Sequence, residues 1–304
     1  MRVSILGAGV AGLCAAHVLA ARGMDVVLCD DGRAGASTLA GGMIAPWCEA
    51  EVAPQVLERG KTALDWWVAR VPGVARRGTL VLATGRDRGE LTRFAARTLG
   101  HQSVAAGDLE PALADRFDQA LFFADEGHLD PVKALAHLRQ GLPLAPNPRQ
   151  GDVIVDCRGI AARDQLPLRA VRGEMLVLHA PDINLSRPIR LLHPRWPLYV
   201  VPRGDGIFML GATMLESDDP GPVTARSVID LLNAAYALHP AFAEARVLKT
   251  GAGLRPAFAD NLPRVERWGG VWHLNGLYRH GFLLAPVLAQ ELADALIGGM
   301  AHAD

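Results

Sequence analysis

The sequence predicts an α/β fold in which a βαβ unit on a parallel sheet is interleaved with a mostly antiparallel section. Three observations predict it. An apolar run, a glycine turn and a second apolar run fill residues 1–31; strand-like segments with a hairpin signal fill residues 173–213; the C-terminus returns to a strand and a long apolar helix.

MRVSIL reads as a short buried strand, VAGLCAAHVLAARG as a helix ended by Gly23, and MDVVLCDD as the next strand. GAGVAG lies at the first turn of this βαβ unit. Gly7 permits the tight turn, Gly9 lets the backbone approach a pyrophosphate, and Gly12 lets the helix pack closely on the sheet. Phosphates would meet the free N–H groups at the helix N-terminus. Asp30 stands 18 residues after Gly12, where an acid accepts hydrogen bonds from an adenosine ribose. The motif predicts a Rossmann-like dinucleotide site without separating NAD from FAD. Residues 32–46, GRAGASTLAGGMIAP, are small and glycine-rich, with Ser37 as an expected N-cap. Their leanness suggests a flat isoalloxazine ring packed near Gly41, Gly42 and Met43.

Residues 49–71 read as a helix, TLVLAT as a strand, GELTRFAARTLG as a helix, and LFFADEGHLDP as a strand and turn. A short helix runs from Pro131 to Arg139, and VIVDCRG is a buried strand. GEMLVL, PLYVVPRGDG and IFMLGAT read as antiparallel sheet, with PRGDG as the hairpin turn. A helix at 224–238, the strand GVWHLNG and the helix FLLAPVLAQELADALIGG complete the chain. The expected division is a discontinuous nucleotide-binding domain of residues 1–48, 131–165 and 253–304, and a substrate-binding domain of residues 49–130 and 166–252. A site is expected where the two meet.

The 304 residues are 50% hydrophobic with a net charge of −1, enough for a large core and without an electrostatic case for nucleic acid or acidic membranes. Only Lys61, Lys133 and Lys249 among the 31 basic residues are lysines, so a lone Arg is a weak signal. Cys14, Cys29, Cys48 and Cys157 show no CxxC spacing and the ten histidines no ligand spacing, so no metal site is expected. Residues 5–20 imitate a signal sequence but lack a basic flank. No apolar run reaches a membrane-spanning length, and a cytoplasmic location is expected.

Further motifs run through most of the chain: GAS…AGGM, RAVRGEML, YVVPRGDG…GATM, GLRPAFADN and YRHGFLLAP. With GAGVAG they resemble the D-amino-acid-oxidase-like flavoproteins, and within them the glycine oxidases of thiamine biosynthesis. The resemblance implies bound FAD and oxidation of a small amine beside a carboxylate, with O2 reduced to peroxide and the imine hydrolysed to an oxo acid and ammonia. It maps FAD contacts onto Val10, Ala11, Asp30, Asp31, Ala36, Ser37, Gly41, Gly42 and Met43. A second set covers Leu277, Tyr278, Arg279, His280, Gly281, Phe282 and Leu283. Substrate contacts map onto Tyr199, Met214, Arg255 and Arg279. A homo-oligomer is compatible with the sequence. Two departures stand out. Where the family carries a β-meander before VIVDCRG, only GLPLAPNPRQGD remains. Where it tends to read ATG at the end of that strand, this chain reads DCRG, which puts Asp156 and Arg158 near the cofactor or out in solvent.

The chemistry of the residue types agrees with this assignment. A planar guanidinium at Arg255, or at Arg279, matches a substrate carboxylate with two parallel hydrogen bonds. Tyr199 starts a strand whose hairpin partner is expected to carry Met214. On local features alone Tyr199 reads equally as a core tyrosine, Met214 as core filling, and Arg279 as a charge pair at a domain seam. The helix beginning at Gly281 can direct its first N–H groups toward negative charge on a reduced ring. Rival readings in the same fold are a quinone-linked dehydrogenase of a D-amino or N-methyl amino acid and a flavoprotein without catalysis. An NAD-dependent dehydrogenase leaves YRHGFLL without a role.

Overall fold

The computed structural model describes residues 1–51, 53–193 and 198–300. Residues 301–304 of the expected nucleotide-binding domain, Val52 of the expected helix at 49–71, and Pro197 of PLYVVPRGDG lie outside the described residues.

Strand β1 (Arg2–Leu6), helix α1 (Val10–Ala21) and strand β2 (Asp25–Cys29) form the N-terminal unit. The two strands pair in parallel from Arg2↔Asp25 to Leu6↔Cys29. The six-stranded sheet has the order Arg264–Trp268, Val271–Asn275, Val153–Asp156, β1, β2, Leu144–Ala145, and only its first pair is antiparallel. β1 is internal, which explains why Val3, Ser4 and Ile5 are all fully buried: a parallel strand covered on both faces needs apolar residues in succession. Ser4 is tolerated because its hydroxyl donates to Asp152 Oδ2 at 2.6 Å.

Helix α1 packs against the C-terminal helix Gly281–Met300, whose Leu284, Ala285, Leu288, Ala289, Leu292 and Ala293 are fully buried. Contrary to the sequence reading, the stretch Gly281–Gly298 has the length and mean hydropathy (1.4) of a membrane span. Here that apolar character serves packing against α1.

A nine-stranded sheet forms the second layer. Its long strand Arg169–His179 pairs along its length with Arg246–Ala257, and on the other edge with Ile207–Gly211 and Leu215–Glu216. Leu198–Gly204 and Ile207–Gly211 form the expected hairpin. Its turn residues Asp205 (φ 51°) and Gly206 (φ 68°) both take positive φ, as a tight two-residue turn requires. Helix Ala225–Leu238 is capped by the Thr224 hydroxyl, which accepts from the Ser227 N–H, and it buries Leu231, Ala235 and Leu238 on the sheet. Helix Pro131–Arg139 is as expected, with Asp130 as its N-cap and Pro131 as its first residue.

The expected helix over 49–71 is instead a series of short helices, Pro46–Glu49, Gln55–Gly60 and Ala63–Val68. Pro54, which lacks an N–H, stands at the break. The second and third join the core of the parallel-sheet side. Trp67 is fully buried there, donating its Nε1–H to Phe282 O at 2.7 Å.

Candidate functional site

A cavity of about 1220 Å3 runs from the end of β2, across the start of α1, to the face of the antiparallel sheet. It exceeds the roughly 300–1,000 Å3 of ordinary small-molecule pockets. The glycine turn makes its floor. Gly7 has φ 91°, and any Cβ at Gly12 would collide with Gly7 O. At Gly9 the nearest obstacle is only the Ser37 hydroxyl, 3.2 Å away, so backbone faces open space there. Ser37 does not cap its own 3-10 turn, Ala36–Leu39. Its hydroxyl accepts from the Val10 N–H at 3.1 Å and so caps α1 across the cavity.

At the end of β2 the two acids separate. Asp30 accepts from the Ala8 N–H (3.3 Å) and pairs with Arg139 Nη1 (2.7 Å), whereas Asp31 turns outward to Arg33. Arg139, from helix Pro131–Arg139, had no mark in the sequence beyond a charge at a helix end. Nearby Pro146, Asn147 and Pro148, from the shortened segment, line the same end of the cavity. The DCRG departure resolves inward. Asp156 is fully buried and accepts from Arg158 Nε (2.9 Å) and Nη2 (2.6 Å), while the same guanidinium reaches Asp164.

The lean loop gains a reason from the protein itself. At Gly42 (φ 69°) a Cβ would strike Leu129 O, and at Gly41 it would lie 2.7 Å from the Tyr199 ring. Met43 and Ile44 pair with His128 and Gly127. Arg203, beside the hairpin turn, donates to Leu129 O and Gly41 O, both at 2.8 Å, so the antiparallel sheet holds this loop. Opposite it, Asn275 donates to Gly159 O (2.9 Å), and Tyr278 (φ 48°) donates its N–H to Pro256 O (2.8 Å). This bend aims the start of helix Gly281–Met300, whose first N–H groups lack partners in the helix ladder, into the cavity wall formed by Leu277, Tyr278, Arg279, His280, Gly281, Phe282 and Leu283.

Tyr199, Met214, Arg255 and Arg279 converge at the far end. The Tyr199 ring fills the space above Gly211, and the Arg255 guanidinium lies over Gly173, where any Cβ would collide. Arg255 donates to Thr213 O at 3.0 Å; burial and neighbouring Arg279 lower its pKa. Burial raises the Tyr199 phenol, against the opposing pull of Arg255 and Arg279. Met214 is not core filling and does not sit on the hairpin partner strand. It follows that strand by three residues, 49% exposed, with its sulfur 3.5 Å from Tyr278 Oη and 3.6 Å from Arg279 Nη1.

Glu49 was missed by sequence reasoning. It accepts from Arg279 Nη2 (2.8 Å to Oε1) and from His280 Nε2 (3.0 Å). Burial alone raises a carboxyl, but Arg279, His280 and Arg190 outweigh it and hold Glu49 well below the usual carboxylate range. The available signal was an acid directly after the apolar GGMIAPWC, four residues into a proline-started helix.

The family described as FAD dependent oxidoreductase (DAO) matches residues 2–143 and 144–295. A protein of Rhizobium etli provisionally named thiamine biosynthesis oxidoreductase ThiO is 55% identical over 316 residues, covering 98% of this chain and 97% of its own. Glycine oxidase of Pseudomonas putida is 26% identical over 355 residues, covering 98% and 94%. Among solved structures, glycine oxidase from Bacillus cereus shares the fold, with a TM-score of 0.82 at 21% identity over 97% of each chain. The chain belongs to the DAO family of FAD-dependent oxidoreductases.

Proposed function

We propose that this chain is an amino-acid oxidase acting on glycine or a similar small amino acid, in the service of thiazole formation for thiamine. One observation carries the substrate class: Arg255, with Tyr199 beside it, presents a guanidinium at the end of the cavity beyond the lean loop. The name of the Rhizobium etli relative supports the pathway.

The residues present fit an extended dinucleotide. Gly9 leaves backbone open, Asp30 stands where the ribose would lie, and two helix N-termini face one continuous space. Gly7, Gly9, Gly12, Val10 and Ala11 would hold the pyrophosphate, and residues 41–43 and 277–283 the ring system. When bound, FAD supplies the acceptor for a hydride from the α-carbon and then reduces O2 to H2O2.

The protein's own part is orientation. Arg255 keeps one Nη on Thr213 O and offers the rest of its fork to the carboxylate. Tyr199 offers a hydroxyl to the carboxylate or amine, and Met214 makes an apolar wall beside the α-carbon. The resulting imine leaves for hydrolysis or for thiazole synthesis. No side chain is assigned to abstract the α-proton. With this reading go the two-domain division given above, with residues 55–71 contributing to the nucleotide-side core, and a cytoplasmic location supported by four buried, unpaired cysteines.

The test is the visible spectrum of the purified holoprotein under anaerobic glycine. Bleaching that reverses on admitting air supports the reading. A flavin that no small amino acid bleaches overturns it; bleaching that only a quinone reverses replaces O2 as acceptor.

A further inference from the structure

We propose that Glu49 sets this site to read a single carboxylate, by binding Arg279 and leaving Arg255, among the described residues, as the cavity arginine without an acidic partner. The inference rests on the amino-acid oxidase reading and names which substrates it admits.

Among the described residues six arginines line the cavity. Arg33 is paired with Asp31, Arg139 with Asp30, Arg158 with Asp156, Arg190 with Glu51, and Arg279 with Glu49. Among the described residues Arg255 has no acidic partner within ion-pair distance; it donates to the carbonyl of Thr213 and has the Tyr199 phenol beside it. Among the described residues the substrate end therefore presents one guanidinium without an acidic partner, although Arg279 and Arg190 stand there too, held by Glu49 and Glu51.

Glu49 achieves this through geometry. Both of its oxygens lie within 2.8 Å of Arg279 Nη2, and His280 Nε2 donates to Oε2. The other terminal nitrogen of Arg279 faces the Met214 sulfur at 3.6 Å. A monocarboxylate satisfies Arg255 and stops there. A second carboxylate finds Arg279 already neutralised and the anionic Glu49 beside it, so it is desolvated without a counter-charge. Small neutral amino acids are admitted, and acidic ones are rejected by charge.

The experiment uses the holoprotein and two acids that lack an amine, acetate and malonate, titrated at constant ionic strength while the visible flavin spectrum is followed. Wild type is expected to bind acetate more tightly than malonate. Glu49→Gln keeps the shape and removes the charge. It is expected to raise the affinity for malonate relative to acetate by about tenfold or more, the worth of one charge-assisted hydrogen bond. Arg279→Gln, which leaves Glu49 uncompensated, is expected to move the same ratio the other way. A ratio that stays within about threefold of wild type in Glu49→Gln overturns the proposal, since one such bond spans at least that factor. Should that variant lose its flavin, an unmoved ratio in Arg279→Gln overturns it equally. Failure of the underlying reading is distinguished by glycine: wild type whose flavin glycine and other small amino acids leave oxidised is no such oxidase, whatever its preference between the two acids.

Discussion

The two ends of the cavity are built on different principles. At the nucleotide end one continuous segment, residues 1–31, supplies a strand, a glycine turn, a helix and an acid, and the work falls to backbone geometry. At the substrate end Glu49, Tyr199, Met214, Arg255 and Arg279 come from separate segments, with Glu49 and Arg279 separated by 230 positions. Backbone sites depend on the absence of side chains, whereas the substrate end depends on pairwise charge. The first should break by steric intrusion and the second by charge removal.

Gly12 and Gly9 test the steric half, and the largest effect is expected here. A methyl at Gly12 has no room against Gly7 O, and neither atom belongs to a flexible side chain. Gly12→Ala is therefore expected to abolish stable, flavin-loaded protein. Gly9→Ala meets only the Ser37 hydroxyl and should fold, with its loss confined to FAD affinity. Thermal unfolding of both apoproteins separates them; equal melting temperatures would show that the turn does not discriminate.

Arg255→Ala tests the charge half. Removing one partner of a buried charged contact costs about 2–5 kcal/mol. That corresponds to about thirtyfold to several thousandfold in substrate affinity. The flavin is expected to stay bound, and normal turnover at low glycine would place the carboxylate elsewhere.

The same contrast explains what was legible in the sequence. GAGVAG, the acid at 30 and the PRGDG turn are local, and each element constrains its neighbours within a few residues. Ser37, Arg139, Arg203 and Glu49 act across the fold, and an arginine-rich composition hides which charges are committed. Residues 49–71 failed for another reason. Their helical pattern is real in pieces, but Pro54 interrupts it, and the buried side of Trp67 is set by Phe282 far down the chain. Met214 was legible as apolar and not as exposed, because exposure depends on what closes over it.

Beside the lean loop a buried acid and a buried histidine respond to pH. Burial pushes Glu126 up to about 7, against the opposing hydrogen bond from the Cys48 N–H (2.8 Å). Its folded value lies above its ordinary 4.5, so its stabilising contribution is complete below pH 4.5 and is lost as pH rises through 7. The displacement corresponds to about 3 kcal/mol. His128, pushed down to about 4 by burial, acts with the opposite sign: its contribution is present above pH 6.5 and lost as pH falls through 4. Glu126→Gln should therefore gain stability over wild type progressively from pH 5 to pH 8. A difference in melting temperature that does not change with pH would refute the buried acid.

The smallest effect is expected where the two principles overlap, at Arg139. It belongs to the nucleotide end but acts by charge, through Asp30, and its side chain is 39% exposed. Solvent screening limits such a pair to about 1 kcal/mol or less. An ionised Asp30 can accept from the ribose while keeping Arg139, since a carboxylate has about four acceptor sites and only two are used by Ala8 N and Arg139. With FAD bound, Arg139 would also offset the repulsion between Asp30 and the pyrophosphate. Arg139→Ala should thus weaken FAD by about fivefold at most, less at high salt, as measured by quenching of free flavin fluorescence on titration with apoprotein. FMN, which lacks the adenylate half, should bind the variant and wild type alike. Tighter binding of FAD by the variant would mean that Arg139 competes with the ribose for Asp30. An equal loss for FMN would mean that the pair supports the fold and not the adenosine.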